Sequence, residues 1–439
     1  MESSKQSVTR RQFLVDGGKV VVGASAVSSL LTACGGSPAS PSGPKAVTLE
    51  YWVLGYQPKG ANLTGRLMDA AVVAFRKMHP EIQVNITGYT GDQAGFTKLT
   101  QAVQGGGAVD VFRLPSDLLA LLIQQKLVAA TDDFLTDEDK KDIYPNLLAN
   151  VSSQGKHYAW PLWVPPVGMY LNLDIFQERN IKPPSDDWTY EQFVEIAQQL
   201  TFTRSNGQKV YGYTSVIDPG VVNAWPIIMG DGDAPLNDSN TQYTFNSPAG
   251  ISGLQKLVDL ALKYKVTPPD FGTQTVADMG NGFSQTKTYA MYSEPSGSSA
   301  GYRSVKLNFD VKAMPIGASG KHVTAGGIGM LSVANNLPDD KLKAAMELAR
   351  YITGAQIAQD VPHFYLAPGA RRSVSVQDPI SKFTPFVEYT YITPIIPQWP
   401  QIRTLIHPQL QKAVLGKISA ADALNGPASE INALLSSGS

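Results

Sequence analysis

Between Thr48 and Leu114 the chain alternates two hydrophobic periods, and this alternation limits the fold more than anything else in the sequence. Residues 48–54 (TLEYWVL) read as a strand leading into a Gly/Pro-rich loop. Leu67, Ala71, Ala74, Phe75 and Met78 then recur at helical spacing until His79-Pro80 stops the run. Residues 82–86 return to a strand, residues 96–103 to a helix, and after Gly105-Gly106-Gly107 residues 109–114 form a buried-looking strand. Strand, helix, strand, helix, strand is the α/β pattern with a parallel sheet, because parallel neighbours need a crossover and a helix supplies it.

The remainder is consistent with that class. Residues 117–127 (DLLALLIQQKL) read as a third helix, and the acidic, turn-rich residues 131–144 as the approach to a lobe boundary. Residues 156–172 (KHYAWPLWVPPVGMYLN) combine aromatics and prolines, poor helix material that suits strands crossing between lobes. Helices are expected at 190–200, 251–264, 339–352, 402–415 and 420–435, and strands at 288–292, 309–314 and 326–333.

The first residues read as an address. Arg10-Arg11-Gln12-Phe13-Leu14 precedes a weakly apolar run, residues 20–33, that ends at Cys34. That run is shorter than the ~20 residues a spanning helix needs and sits where a cleavable signal's apolar region belongs. The Arg pair resembles a twin-arginine export signal, and Leu31-Thr32-Ala33-Cys34 resembles a bacterial lipobox, with Cys34 as the lipidated residue. Cys34 is the only cysteine, so no internal disulfide exists. Residues 1–33 are therefore assigned to the signal and 34–45 to a Gly/Ser/Pro tether, which places the folded body outside the cytoplasm and anchored to the cell membrane.

Lys+Arg at 36 against Asp+Glu at 37 excludes a nucleic-acid surface, which must neutralise many phosphates. His79, His157, His322, His363 and His407 are scattered, so neither a metal nor another cofactor is expected. No phosphate-binding loop of the G-x-x-x-x-G-K-S/T type occurs, and an enzyme is not expected. A secreted glycoside hydrolase is the remote alternative, since it needs only a carboxylate pair in an aromatic cleft.

Several colinear segments resemble extracellular solute-binding proteins of family 1, the group of maltose-type sugar-binding lipoproteins. They are residues 75–82 (FRKMHPEI) with Val84, Val109-Asp110-Val111-Phe112, residues 155–162 (GKHYAWPL), residues 171–176 (LNLDIF), Pro183-Pro184 before Trp188-Thr189-Tyr190-Glu191, and Ala290-Met291-Tyr292. The resemblance implies a periplasmic-binding-protein-like fold of two α/β lobes closing on a ligand. Lobe one would hold 46–150 and 285–335, and lobe two 151–284 and 336–439. It also implies a monomer that captures a mono- or oligosaccharide and hands it to ABC permease subunits. A non-sugar solute, such as a glycerophosphodiester or peptide, is the alternative, kept open by Arg371-Arg372 and Arg113.

Sugar sites combine aromatic platforms with a few polar groups. The candidate walls are Trp52, Trp163, Trp225 and Trp399, each of which could instead be core. The candidate polar contacts are Ser116, Asp117, Asp231, Ser293, Glu294 and Arg371, with Gly326 and Gly327 allowing close backbone approach. Asp117 could equally cap the helix that follows it. Family members often carry a Trp near residues 293–296, where this chain has Ser293-Glu294-Pro295-Ser296, so one expected platform is missing.

Overall fold

The structure is a computed structural model that describes residues 46–90 and 93–437 of the compact unit Ala46–Ser439; the side chains of Gln93, Pro115 and Asp117 are outside that description. Arg10, Arg11, Cys34 and the 34–45 tether also lie outside the described residues. In chain order the strands are β1 (Val47–Leu54), β2 (Ile82–Tyr89), β3 (Val111–Pro115), the hairpin pair β4 (Ser152–Ser153) and β5 (Lys156–His157), β6 (Trp160–Trp163) and β7 (Val167–Asn172). They continue as β8 (Phe202–Thr203), β9 (Lys209–Thr214), β10 (Tyr289–Pro295), β11 (Phe309–Lys312), β12 (Thr324–Gly326), β13 (Gly329–Val333) and β14 (Thr390–Ile392). Two five-stranded sheets result, in the orders β2-β1-β3-β13-β6 and β11-β7-β10-β9-β8.

The first helix, Leu63–Met78, shows how local sequence builds a lobe. Asn62 caps it by accepting from the Gly65 amide at 2.7 Å, which satisfies one of the free N–H groups of the first turn. Leu67, Met68, Ala71, Val72 and Phe75 form the buried stripe, and the helix stops before Pro80, as its spacing predicts. It connects β1 to β2, which pair in parallel from Val47↔Ile82 to Leu54↔Tyr89. The 339–352 helix also falls where expected. The expected 420–435 helix is instead two, Ala420–Asn425 and Ala428–Ser437, because Gly426-Pro427 interrupts it and proline has no N–H to donate.

The two lobes have different boundaries from those expected. Residues 131–144 do not approach a boundary, since Leu135, Ile143 and Tyr144 belong to the first lobe's core. β6 joins the first sheet, so the chain first crosses at Val164-Pro165-Pro166. β10 and β11 pair with β7 in the second sheet, which removes residues 289–312 from lobe one. Helix Asp339–Ile352 packs in the core of lobe one, which removes it from lobe two. Sequence order misled because β13 enters the first sheet from far along the chain, between β3 and β6.

Three crossings therefore link the lobes: residues 164–166, the run through β12 to β13, and the run from Arg371 through β14 to helix Trp399–Val414. They converge. β12 and β14 pair in parallel from Thr324↔Thr390 to Gly326↔Ile392, the Thr324 hydroxyl donates to the Val167 carbonyl at 2.6 Å, and the Thr393 amide donates to the Gly326 carbonyl at 3.1 Å. A Cβ on Gly326 would lie 2.9 Å from the Pro165 carbonyl oxygen and 3.2 Å from Thr390 Cγ2, so only glycine lets the three segments meet this closely. Among the described residues, no helix is long and apolar enough to cross a membrane.

Candidate ligand cleft

The crossings fix which strand ends face the gap between the lobes. β6 runs out through 164–166 into the start of β7, so the carboxyl ends of β1, β3 and β6 face the carboxyl ends of β9 and β10. Ligands of open α/β sheets bind outside such carboxyl ends. A cavity of about 470 Å3 lies in this region. Leu63, Phe364 and Tyr365 line it from lobe one, Ser299, Ala300 and Arg303 from lobe two, and residues 375–380 from the third crossing. Arg303 donates to the Asp378 carbonyl at 2.7 Å and so ties a lobe-two helix, Ser299–Ser304, to that crossing. A second cavity, about 520 Å3, lies between lobe-one residues including Lys126 and Tyr158 and the segment carrying Ile395 and Pro397.

Three of the sequence-predicted residues stand near this edge without forming the cavity wall. Trp163 closes β6, with the Arg113 guanidinium 4.4 Å over its ring and Tyr365 edge-on at 6.5 Å, so it backs Tyr365. Burial lowers the Arg113 pKa. Trp52 donates its indole N–H to the Ala108 carbonyl at 3.0 Å and carries the Lys98 ammonium 5.4 Å from its ring. Ser116 is buried and opens the helix Ser116–Gln124, whose first turn also holds Asp117. Gly327 has open space where a Cβ would project, whereas Gly326 uses its close approach for the hinge and not for a ligand.

The others are placed as structure, which corrects the sequence reading. Trp225 is 1% exposed in the core of lobe two, stacked on His407 at 5.4 Å and edge-on to Trp399 at 5.6 Å; Trp399 is fully buried beside it. Burial lowers the His407 pKa and keeps the ring neutral. Its Nδ1 lies 2.9 Å from the Arg403 carbonyl oxygen, and its Nε2 lies 3.2 Å from the Trp225 indole nitrogen and 3.1 Å from the Val221 carbonyl oxygen. Neither indole offers a face to a sugar.

Asp231 accepts from the Lys256 ammonium at 2.5 Å, the Ser252 hydroxyl at 2.6 Å and the Ala318 amide at 2.8 Å. Burial alone would raise its pKa, but these donors outweigh burial and leave it below the ordinary value. Ser293 is spent between the Tyr213 hydroxyl at 2.9 Å and the Ser215 hydroxyl at 2.8 Å. Arg371 is 5% exposed inside lobe one, where Nη1 donates to Asp139 at 2.7 Å and Nε to the Thr353 carbonyl at 2.9 Å. Glu294 is buried and accepts from the Tyr302 hydroxyl; burial raises its pKa to about 7 despite that bond.

The family model described as bacterial extracellular solute-binding protein matches residues 70–368. This chain belongs to that family. The solute-binding protein is 23% identical over 380 residues to a Brucella abortus protein named only as a binding protein, a match spanning 85% of this chain and 90% of the relative. Its fold is that of solved two-lobed binding proteins. A cyclic α-maltosyl-1,6-maltose binding protein from Arthrobacter globiformis superposes with a TM-score of 0.74 at 17% identity, over 89% of this chain and 99% of the other. An ABC substrate-binding protein from Listeria monocytogenes, solved with cycloalternan, gives 0.71 at 20% identity over 89% and 100%. A Streptomyces glaucescens receptor, solved unliganded and with acarbose, gives 0.72 at 19% identity over 90% and 100%.

Sequence reasoning missed the solute-binding protein's own cavity wall. Phe364-Tyr365 stands between Pro362 and Pro368, the same pairing of aromatics with prolines that marked residues 156–172, and could have been found on that signal. Arg303 and Leu63 carry no such signal, because a solvated arginine and a helix-start leucine look the same from sequence. Among the described residues, no group of three or more His, Cys, Asp or Glu could hold a metal ion.

Proposed function

We propose that this protein is the substrate-capturing component of an ABC importer. It takes a mono- or oligosaccharide into the gap between its lobes and passes it to the permease subunits. The observation that carries this reading is the cavity of about 470 Å3 with walls from both lobes and from the third crossing, in a chain of this family. A ligand in that position touches lobe one through Phe364 and Tyr365 and lobe two through Ser299 and Arg303. It therefore gains more contact in the closed form than in the open one, which is the differential affinity that drives hinge closure. The exposed Arg303 guanidinium supplies donors to sugar oxygens beyond its bond to the Asp378 carbonyl. Phe364, Tyr365 and Ser299, at 1%, 3% and 0% exposed, offer only packing edges, the Ser299 hydroxyl already donating to the Ser296 carbonyl at 2.6 Å.

The choice of a sugar is supported by the ligands of its structural relatives, among them cycloalternan and acarbose. The phosphorylated-ligand alternative loses the support of Arg371 and Arg372, which pair with Asp139 and Glu388, and keeps that of Arg113, which lies over Trp163. Two acyl chains on Cys34 would hold the mature protein at the membrane surface, where one chain alone would bind only marginally. The body acts as a monomer on its tether.

Thermal-shift screening with maltose, maltotriose and other neutral sugars, beside glycerophosphodiesters and short peptides, tests the ligand class. A rise in melting temperature with neutral sugars, followed by a smaller radius of gyration at saturation, is the expected result. Stabilisation by phosphodiesters or peptides alone would overturn the sugar reading. Replacing Cys34 with Ser should move the protein into soluble fractions or stall its processing, and unchanged detergent-dependent partitioning would refute the anchor.

A further inference from the structure

Glu294 is a buried carboxyl whose neighbours are hydroxyls and not cations. It sits near the cleft end of β10 and accepts from Tyr302, which belongs to the helix Ser299–Ser304. That same helix presents Ser299, Ala300 and Arg303 to the interlobe cavity. Glu294 thus stands one layer behind lobe two's wall of the cavity and is joined to it through one tyrosine.

The surroundings make ionisation costly. Tyr292 from β10, Tyr170 from β7 and Ser298 from the turn before the helix complete the polar shell, while Phe383 and Phe386 of the third crossing pack in the same core. The charged groups of these elements are engaged elsewhere: Arg303 with the Asp378 carbonyl, and Lys382 with Asp310. The Tyr292 hydroxyl lies between Glu294 and Asn223, and Ser296 Oγ is buried without a hydrogen-bond partner. A protonated Glu294 has an O–H to offer the Tyr292 oxygen. An ionised Glu294 can accept from Tyr302, Ser298 and Tyr292, but it loses the water that a surface carboxylate keeps, and burial outweighs those three donors.

We propose that Glu294 is a proton-operated latch on lobe two's wall of the cavity. Protonated, it keeps Tyr302 and the helix Ser299–Ser304 seated against β10; ionised, it drives that helix off its seat and weakens ligand capture. The position of its pKa, about 7, puts the change in the neutral range. The effect on capture rests on the function proposed above, whereas the latch itself does not.

Amide hydrogen exchange on the ligand-free protein tests the latch directly. After correction for the intrinsic rate, protection across residues 296–307 should fall about tenfold between about pH 6 and pH 8.5 in the wild type and stay level in Glu294→Gln. Unchanged wild-type protection, or the same fall in Glu294→Gln, overturns the proposal. Should Glu294→Gln fail to fold, Tyr302→Phe replaces it: loss of the donor must move the wild-type transition to higher pH, and an unmoved transition overturns the latch. Calorimetry with maltotriose supplies the second arm, with binding expected about threefold weaker at the higher pH and level in Glu294→Gln. Equal wild-type affinity at both pH values overturns the link to capture. Absence of maltotriose binding at every pH counts against the sugar reading, and the exchange result still decides the latch.

Discussion

Trp225→Ala separates a core indole from a binding platform, and the structure fixes which it is. The side chain is 1% exposed, with His407 stacked at 5.4 Å, Phe245 at 5.7 Å and Trp399 edge-on at 5.6 Å. Truncating a fully buried Trp costs about 3 to 5 kcal/mol, because the surroundings refill the cavity only in part. His407 Nε2 would also lose the indole donor inside the core, which pushes the cost toward the upper end, about 5 kcal/mol. If lobe two melts as a unit of about 200 residues, that corresponds to a fall in melting temperature of about 10 °C or more. Differential scanning calorimetry reads the melting point, and titration with whichever sugar stabilises the wild type reads the affinity of the folded fraction. The expected pair is a large fall in melting temperature with near wild-type affinity. A fall of less than about 2 °C together with a tenfold or greater loss of affinity would falsify the core assignment.

Three further outcomes follow from the geometry. Asp231→Ala should cost about 2 kcal/mol by leaving the Lys256 ammonium and two other donors unpaired, without changing affinity. Because the folded Asp231 carboxyl lies below its unfolded value, its contribution is present above about pH 4 and lost as pH falls through the folded value; Asp231→Asn should flatten the acid limb of the stability curve, measured by denaturant titration. Arg371→Met should destabilise by about 3 kcal/mol by leaving the buried Asp139 with one fewer cation, and unchanged denaturant midpoints would contradict the ion pair. Gly326→Val forces apart the Pro165 and Thr390 segments, so the ligand-induced change in radius of gyration should shrink in scattering experiments; a wild-type change would show that the crossings do not hinge there.

Legibility in the sequence followed locality. The helices Leu63–Met78 and Tyr190–Gln199 were readable because their apolar period, their caps and their stops lie within the same short window, and Asp339–Ile352, which has no side-chain cap, because of its apolar period. Thr189 makes a capping box with Gln192, and such a signal needs no distant partner. The lobes were not readable, because strand pairing decides them and nothing within Gly329–Val333 announces that it will enter between β3 and β6. The site failed for a related reason. Trp225-Pro226 and Trp399-Pro400 each open a helix, where proline at the first turn is favoured, and the indole at such a start turned inward in both cases. An indole at a helix start has the same sequence whether it meets a ligand or a neighbouring helix. Tyr365 and Arg303 reach one cavity only because the chain crosses three times.

The insertion of β13 also sets an order of assembly. The second sheet is complete once the chain has emerged through Lys312, since all five of its strands lie between Val167 and that residue. The first sheet has four strands by Trp163, but β3 and β6 have nothing between them until Gly329–Val333 arrives. During synthesis, β3 and β6 therefore wait with open edges for more than a third of the chain, and such edges invite pairing with other chains. The core of lobe two still awaits the helices Trp399–Val414, Ala420–Asn425 and Ala428–Ser437 at that point. A chain held at the ribosome with residues through Lys312 emerged should nonetheless protect β7, β9 and β10 from exchange while β3 and β6 remain open, so that the first sheet is the later of the two to close.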